Sequence, residues 1–431
     1  MTLILASWYT PKRIIIIILC VFAVVLAYAD RLNIAIAIVY MAKEFNWNHI
    51  TQGYVLSSFY IGYLTTQVIG GALADKFGGK RILGIAAATW TLFTLLTPIS
   101  ARVNIYCLIL CRICLGIGEG VTLPCIVSLI TKWFPPKERS RAVSTMYVSI
   151  FIGLTIAMPI SNILASSQFG WESIFWVFAI VTFIWTVIWY FYGKSYPRDY
   201  SGISKEELDW ILESKSSSYS EDNKQKIPWK LIFSRREVWA MLLGHFFNSW
   251  GFYILLNWLP IFYYEHFHVD INLIGYYAAL PYLLYIIMGL ISGYISDYAI
   301  YQLKIRVLTV RRSVNLIGFL GISISLLLVA YLAKTSLQGL LIMTIGFALY
   351  SFLIPSIHVS QMDIAPKYSG AIYGLAATCG VIPAFFAVSL TGWILEITGD
   401  DWDIIWYMCS LSYIIGALFY VYLVGDEIII D

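Results

Sequence analysis

The chain has 431 residues, of which 60% are apolar and 12% are Asp, Glu, Lys or Arg, with a formal net charge of +3. Soluble domains run at about 45–50% apolar and about 25% charged, so this chain cannot face water on all sides. The same numbers exclude disorder, a collagen and a disulfide-stapled secreted module, and they leave no basic surface for nucleic acid; the bilayer is the solvent.

Apolar runs predict helical spans near 14–40, 51–74, 82–101, 104–130, 142–165 and 172–193. After a polar stretch they resume near 237–264, 273–296, 313–333, 337–362, 369–394 and 404–425. Each span is long enough to cross about 30 Å of hydrocarbon at about 1.5 Å per residue. The expected fold is an all-α membrane protein of twelve transmembrane helices. A six-helix half over 1–193 and a second over 237–431 flank a hydrophilic connection over 194–236. In that connection Ser204-Lys205-Glu206-Glu207 reads as a capping box opening a short amphipathic helix. The first run is too long for a signal peptide and has no small-residue cleavage site. All seven cysteines lie in apolar stretches and read as packing residues, without a disulfide framework or a metal site.

Charge sets the orientation. With the N-terminus on the cytoplasmic side, that side receives 23 Lys and Arg and the opposite side only Lys43, Arg102 and Lys334. Both termini are therefore expected to be cytoplasmic. The halves also repeat a pattern: Gly71-Ala-Leu-Ala-Asp75 ends the second span and Gly293-Tyr-Ile-Ser-Asp297 ends the eighth. Such repeats mark secondary transporters, whose substrate site lies between the halves near the midplane.

Four ionisable residues interrupt apolar spans: Asp30, Arg31, Arg112 and Glu119. An ionised side chain at mid-bilayer costs at least ~2.5–3.5 kcal/mol, so these four must face a polar cavity, pair with one another, or both. Arg112 and Glu119 are two helical turns apart and share one face of the fourth span. Two arginines and two carboxylates sum to zero, and an incoming anion competes with the carboxylates for the guanidinium forks. Its added charge is tolerated when a carboxyl takes up a proton, which describes proton–anion symport. Arg31 and Arg112 are assigned to the anion, Glu119 to the coupling proton, and Asp30 to a second titrating or arginine-orienting role. Tyr60 and Tyr63 on the second span, Asn248, Tyr253 and Asn257 on the seventh, and Thr378 on the eleventh are further substrate-binding candidates. Each competes with a plain interhelical hydrogen bond, and His358 with a satisfied bundle histidine. Gly116, Gly118, Gly120 and Pro124 allow close approach or bending of the fourth span.

Several stretches resemble a known family. Gly71-Ala-Leu-Ala-Asp75-Lys76-Phe-Gly78-Gly-Lys80-Arg81 resembles the loop between the second and third helices of the major facilitator superfamily. Asp30-Arg31-Leu-Asn33, Cys111-Arg112 through Glu119-Gly120 to Pro124, Lys132-Trp133-Phe-Pro135-Pro136-Lys-Glu138-Arg139-Ser140-Arg141 and Asp363-Ile-Ala-Pro366-Lys367 resemble its anion:cation symporter family. That family includes sialin, the vesicular glutamate transporters, plastid phosphate carriers and bacterial sugar-acid transporters. The resemblance implies two six-helix halves related by a pseudo-two-fold axis and rocker-switch alternating access. It implies Arg112 and Glu119 as a proton-relay pair and Arg31 as an anion contact. It also implies that Asp75 with Arg81, and Glu138 with Arg139 and Arg141, lock the cytoplasmic gate in the outward-open state. Asn248 stands where some vesicular glutamate carriers have arginine, which favours a sialin-like or bacterial-like substrate over a dicarboxylate.

The expected function is proton-coupled symport of a small organic anion (a sugar acid, sialic acid or another carboxylate) by a monomer. Sodium- or proton-coupled phosphate transport is the alternative. No enzyme motif is present: there is no His-Glu-x-x-His and no Gly-x-Ser-x-Gly. No cofactor is expected beyond the coupling ion, H+ or Na+. The drug exporters of the same fold carry a glycine pair after the proline of the fifth helix, which is absent after Pro159. A short first loop, Met41 to Ile50, and no visible targeting peptide point to a bacterial inner membrane, with a eukaryotic organelle second.

Overall fold

The computed structural model describes residues 11–216, 229–360, 364 and 369–425, and among these there is no strand. Six spans make the first half. They are α1 (Lys12–Phe45), α2 (His49–Phe77), α3 (Gly79–Val103), the fourth span in two pieces, α4 (Ile105–Gly120) and α5 (Thr122–Trp133), then α6 (Pro136–Ala165) and α7 (Glu172–Tyr192). The connection holds α8 (Lys205–Ser216) and α9 (Trp229–Ser234). The second half runs through α10 (Arg236–Glu265), α11 (Ile274–Tyr301), α12 (Val307–Leu332), α13 (Ser336–Tyr350) with the short α14 (Ile354–Ile357), α15 (Ser369–Thr398) and α16 (Trp402–Leu423). This is the twelve-span all-α membrane fold. Ten spans are long and apolar enough to cross a membrane on those grounds alone. The other two, α2 and α10, are 29 and 30 residues long. They are the helices that bring Tyr60, Tyr63, Asn248 and Asn257 into the bundle.

Within the first half α1 packs on α6, α2 on α4, and α3 on α4 and α7; in the second, α10 packs on α15 and α16, and α12 on α13 and α16. The halves meet along α2 with α15, α6 with α11, and α1 with α10. Several hydrogen bonds join the halves on the side away from the chain ends, called the distal side below. There the Asn162 side chain donates to the Asn272 carbonyl, Tyr40 to that of Ile271, and Ser389 to the Ser57 hydroxyl.

Helix α2 crosses α4 at backbone contact. A Cβ on Gly62 would run into the Ile113 carbonyl, and one on Gly116 into that of Phe59. No rotamer relieves a clash with backbone, so Gly116→Ala is expected to destabilise the protein by about 1–3 kcal/mol. A lowered melting temperature in detergent checks this, and a wild-type value contradicts it.

The connection is fastened to the first half. The Ser204 hydroxyl accepts from the Glu207 backbone N–H at 3.1 Å, as the capping box predicts. The Glu207 carboxylate accepts from the backbone N–H groups of Lys12 and Arg13 at 3.0 and 3.1 Å, a negative charge on the N-terminus of α1. Trp133 donates to the Lys194 carbonyl at 3.0 Å, the Lys80 backbone N–H donates to Ser195, and Ile211 is fully buried.

Candidate functional site

Helix α1 carries Asp30, Arg31 and Asn33, all buried at mid-span. The Arg31 guanidinium sits in an aromatic collar, its carbon 4.3 Å from the ring centres of Tyr28 and Tyr63 and 4.8 Å from that of Phe59. Cation–π contact of this kind holds the plane of the fork without using its N–H donors. Arg31 Nη2 is 3.4 Å from Glu119 Oε2, and both side chains are buried. Asp30 takes hydrogen bonds from Asn33 Nδ2 at 3.1 Å and Thr182 Oγ1 at 3.4 Å, and Ser161 donates to Asn33 Oδ1 at 2.9 Å.

Arg112 comes from α4 and shares the Phe59 ring with Arg31, its guanidinium carbon 5.4 Å from the ring centre. It is 1% exposed, and its Nε and Nη1 have no hydrogen-bond partner; nor do Arg31 Nε and Glu119 Oε1. The ion pair in this cluster runs from Arg31 to Glu119. Seven residues of helix place Arg112 and Glu119 about 10.5 Å apart along the axis, so sharing a face does not bring them into contact. The fourth span breaks directly after Glu119 and Gly120, where α4 gives way to α5.

The second half meets this cluster with neutral groups. Asn257 Nδ2 donates to Tyr60 Oη at 2.9 Å, and the Tyr253 ring stands edge-on to Tyr60 at 4.8 Å. Asn248 Oδ1 accepts from Tyr350 Oη at 2.7 Å. Sequence reasoning missed Tyr350 and its neighbour Tyr285, whose rings lie 5.5 Å apart. The interruption of the tenth span just after Tyr350 is the local feature that singles it out. The Thr378 hydroxyl is bonded to the Gly374 carbonyl of its own helix at 2.9 Å, and among the described contacts it joins neither arginine. His358 and His245 pack ring to ring at 5.0 Å. Most of the Asp363 motif, with Gln361, lies outside the described residues.

Asp75 accepts from Ser128 at 2.5 Å and pairs with Lys132 at 3.1 Å, while Arg81 is exposed. Glu138 pairs with Arg13 at 3.6 Å. Arg139 donates to the carbonyls of Phe134 and Thr131, closing the C-terminal end of α5, and Arg141 is exposed. Each of these contacts stays within the first half.

The chain matches the family model described as the Major Facilitator Superfamily over residues 20–388. It is 35% identical to the chloroplastic ascorbate transporter of Arabidopsis thaliana over 98% of this chain and 76% of that protein. It is 33% identical to the chloroplastic sodium-dependent phosphate transport protein 1 of the same plant, over 97% and 80%. Among solved structures, the inward-open conformation of the xylose transporter XylE from E. coli superposes with a TM-score of 0.75 at 17% identity, covering 96% of this chain and 97% of that one. Relatives named as chloroplastic overturn the expected bacterial inner membrane, while a multi-pass membrane protein stands. The protein is a transporter and not an enzyme, and it belongs to the anion:cation symporter family of the Major Facilitator Superfamily.

Proposed function

We propose that the protein is a proton-coupled symporter of a small organic anion, a sugar acid, sialic acid or another carboxylate, in a chloroplast membrane. One observation carries the reading. Arg112 is buried within the fourth span with two of its donor nitrogens unpartnered, a condition that an anion's paired oxygens relieve. Glu119 already engages Arg31. A proton on Glu119 removes that competing charge and frees the second fork, so proton and anion favour each other's binding. Asp30, held by Asn33 and Thr182, orients the neighbouring arginine or takes a second proton.

The hydroxyls and amides of Tyr60, Tyr63, Asn248, Tyr253 and Asn257 suit a substrate with one charged end and a hydroxyl-bearing body. A relative named as an ascorbate transporter supports that class. Phosphate is the second reading, since two arginines suit it equally and another relative is named for sodium-dependent phosphate transport. The halves then rock about the central cluster.

A thermal-shift screen of gluconate, sialate, ascorbate and phosphate at pH 5.5 and 7.5, with and without Na+, tests this. The expected result is stabilisation by an organic monoanion that strengthens at pH 5.5 and ignores Na+. Stabilisation by phosphate alone, dependent on Na+, replaces it with the second reading.

A further inference from the structure

A second titratable cluster lies well away from the arginines, on the distal side where the halves meet. His49 opens α2 in the first half, and three carboxylates of the second half surround it. Its Nε2 is 3.0 Å from Glu265 Oε2, at the end of α10. Its Nδ1 is 3.4 Å from Asp400 Oδ1 and 3.7 Å from Glu396 Oε2, at and just beyond the end of α15. The His49 backbone N–H also donates to Glu396 at 3.0 Å, placing that carboxylate on the N-terminus of α2. Beneath the cluster the helices touch: a Cβ on Gly392 would run into the His49 carbonyl, and one on Gly53 would sit 3.3 Å from the Ser389 carbonyl.

We propose that His49 is a proton-operated latch that closes the distal side, distinct from the coupling carboxyl at the centre. Both ring nitrogens face carboxylate oxygens. A neutral imidazole carries one N–H, so it would satisfy one side and turn a lone pair on the other; only the imidazolium donates to both. Lys43 is the remaining charged group facing His49. It borders a cavity of about 190 Å³ shared with His49, Gln52, Tyr264 and Glu265, and its ammonium lies over the Tyr264 ring at 4.4 Å. One cationic imidazole and one lysine thus stand against three carboxylates. Loss of the His49 proton removes the charge attraction that ties α2 to the ends of α10 and α15, and it turns a ring lone pair on a carboxylate oxygen of the second half, so the halves are no longer held together there.

The sign follows from linkage. The latched state holds the His49 proton more tightly than a parted state in which the ring meets water and titrates near its usual ~6.5. Acid on the distal side therefore favours the closed distal face, and alkali releases it, by at most about tenfold in the conformational equilibrium per pH unit. The cavity beside the ring has room for the water that delivers the proton.

Hydrogen–deuterium exchange of the full-length protein in nanodiscs, at pH 5.5 and 8.0 and corrected for intrinsic exchange rates, reads the two distal helix ends, 49–57 and 388–396. In the wild type both segments are expected to exchange severalfold more at pH 8.0. His49→Arg, charged at either pH, should leave them protected at both, and His49→Gln should leave them open at both. Glu265→Gln, which removes one acceptor and keeps the fold of the helix end, should lower the pH at which the segments open. Equal protection of the wild type at both pH values overturns the latch, as does a wild-type response in His49→Gln. Glu119→Gln should keep the response; its loss there would assign the pH dependence to the central site and overturn the latch as well.

Discussion

Arg112→Lys is expected to weaken anion binding by about 100-fold. The substitution keeps a positive charge at the same buried position of α4 and so isolates geometry from charge. A planar guanidinium offers two parallel donors to a carboxylate; a tetrahedral ammonium, whose N–H groups diverge, cannot present that pair. A hydrogen bond to a charged group contributes roughly 1.5–3 kcal/mol, and the upper end of that range corresponds to about 100-fold in affinity. Loss of the anion-induced thermal shift, together with a matching rise in KM for counterflow, is the expected pair of results. Wild-type affinity in Arg112→Lys would mean that the unpartnered fork is idle and would remove the observation on which the substrate reading rests.

Glu119→Gln is expected to abolish uphill accumulation, bringing the internal-to-external substrate ratio to about 1, while exchange of labelled for unlabelled substrate continues. Glutamine copies the protonated carboxyl in shape and neutrality. It leaves Arg31 without its 3.4 Å ion pair, the arrangement that the anion requires, but it cannot release a proton on the opposite side. The carrier is then locked into a proton-loaded form that moves substrate only down its gradient. The pH dependence of KM should flatten in the same variant. Proteoliposomes with an imposed pH gradient decide the matter, and undiminished accumulation there would take the coupling role away from Glu119.

The twelve spans were legible because hydrocarbon thickness demands about 20 apolar residues at a time, a signal that needs no knowledge of packing. The four buried ionisable residues were legible for the same reason, since each stands alone against an apolar background. Their pairing was not. Helical spacing places Arg112 and Glu119 on a common face, but contact depends on which residue of α1 arrives opposite Glu119, and Arg31 does. The contact of Asp75 shows the same limit: several basic residues lie within loop distance of it, and packing of α2 against α5 brings Lys132 to it. The cluster at His49 is formed by positions 49, 265, 396 and 400, each unremarkable beside its own neighbours in the chain. Only the approach of α2 to α15, made possible by Gly53 and Gly392, turns four span ends into one charged centre.

The fastening of α8 through Glu207 has a mechanical consequence. Because α8 is tied to the first half and α9 packs on α10 of the second, twelve residues of sequence, 217–228, join the two fastened helices. A chain of that length spans at most roughly 45 Å. If the halves rock as proposed, the facing ends of α8 and α9 can part by no more than that, whatever the cargo.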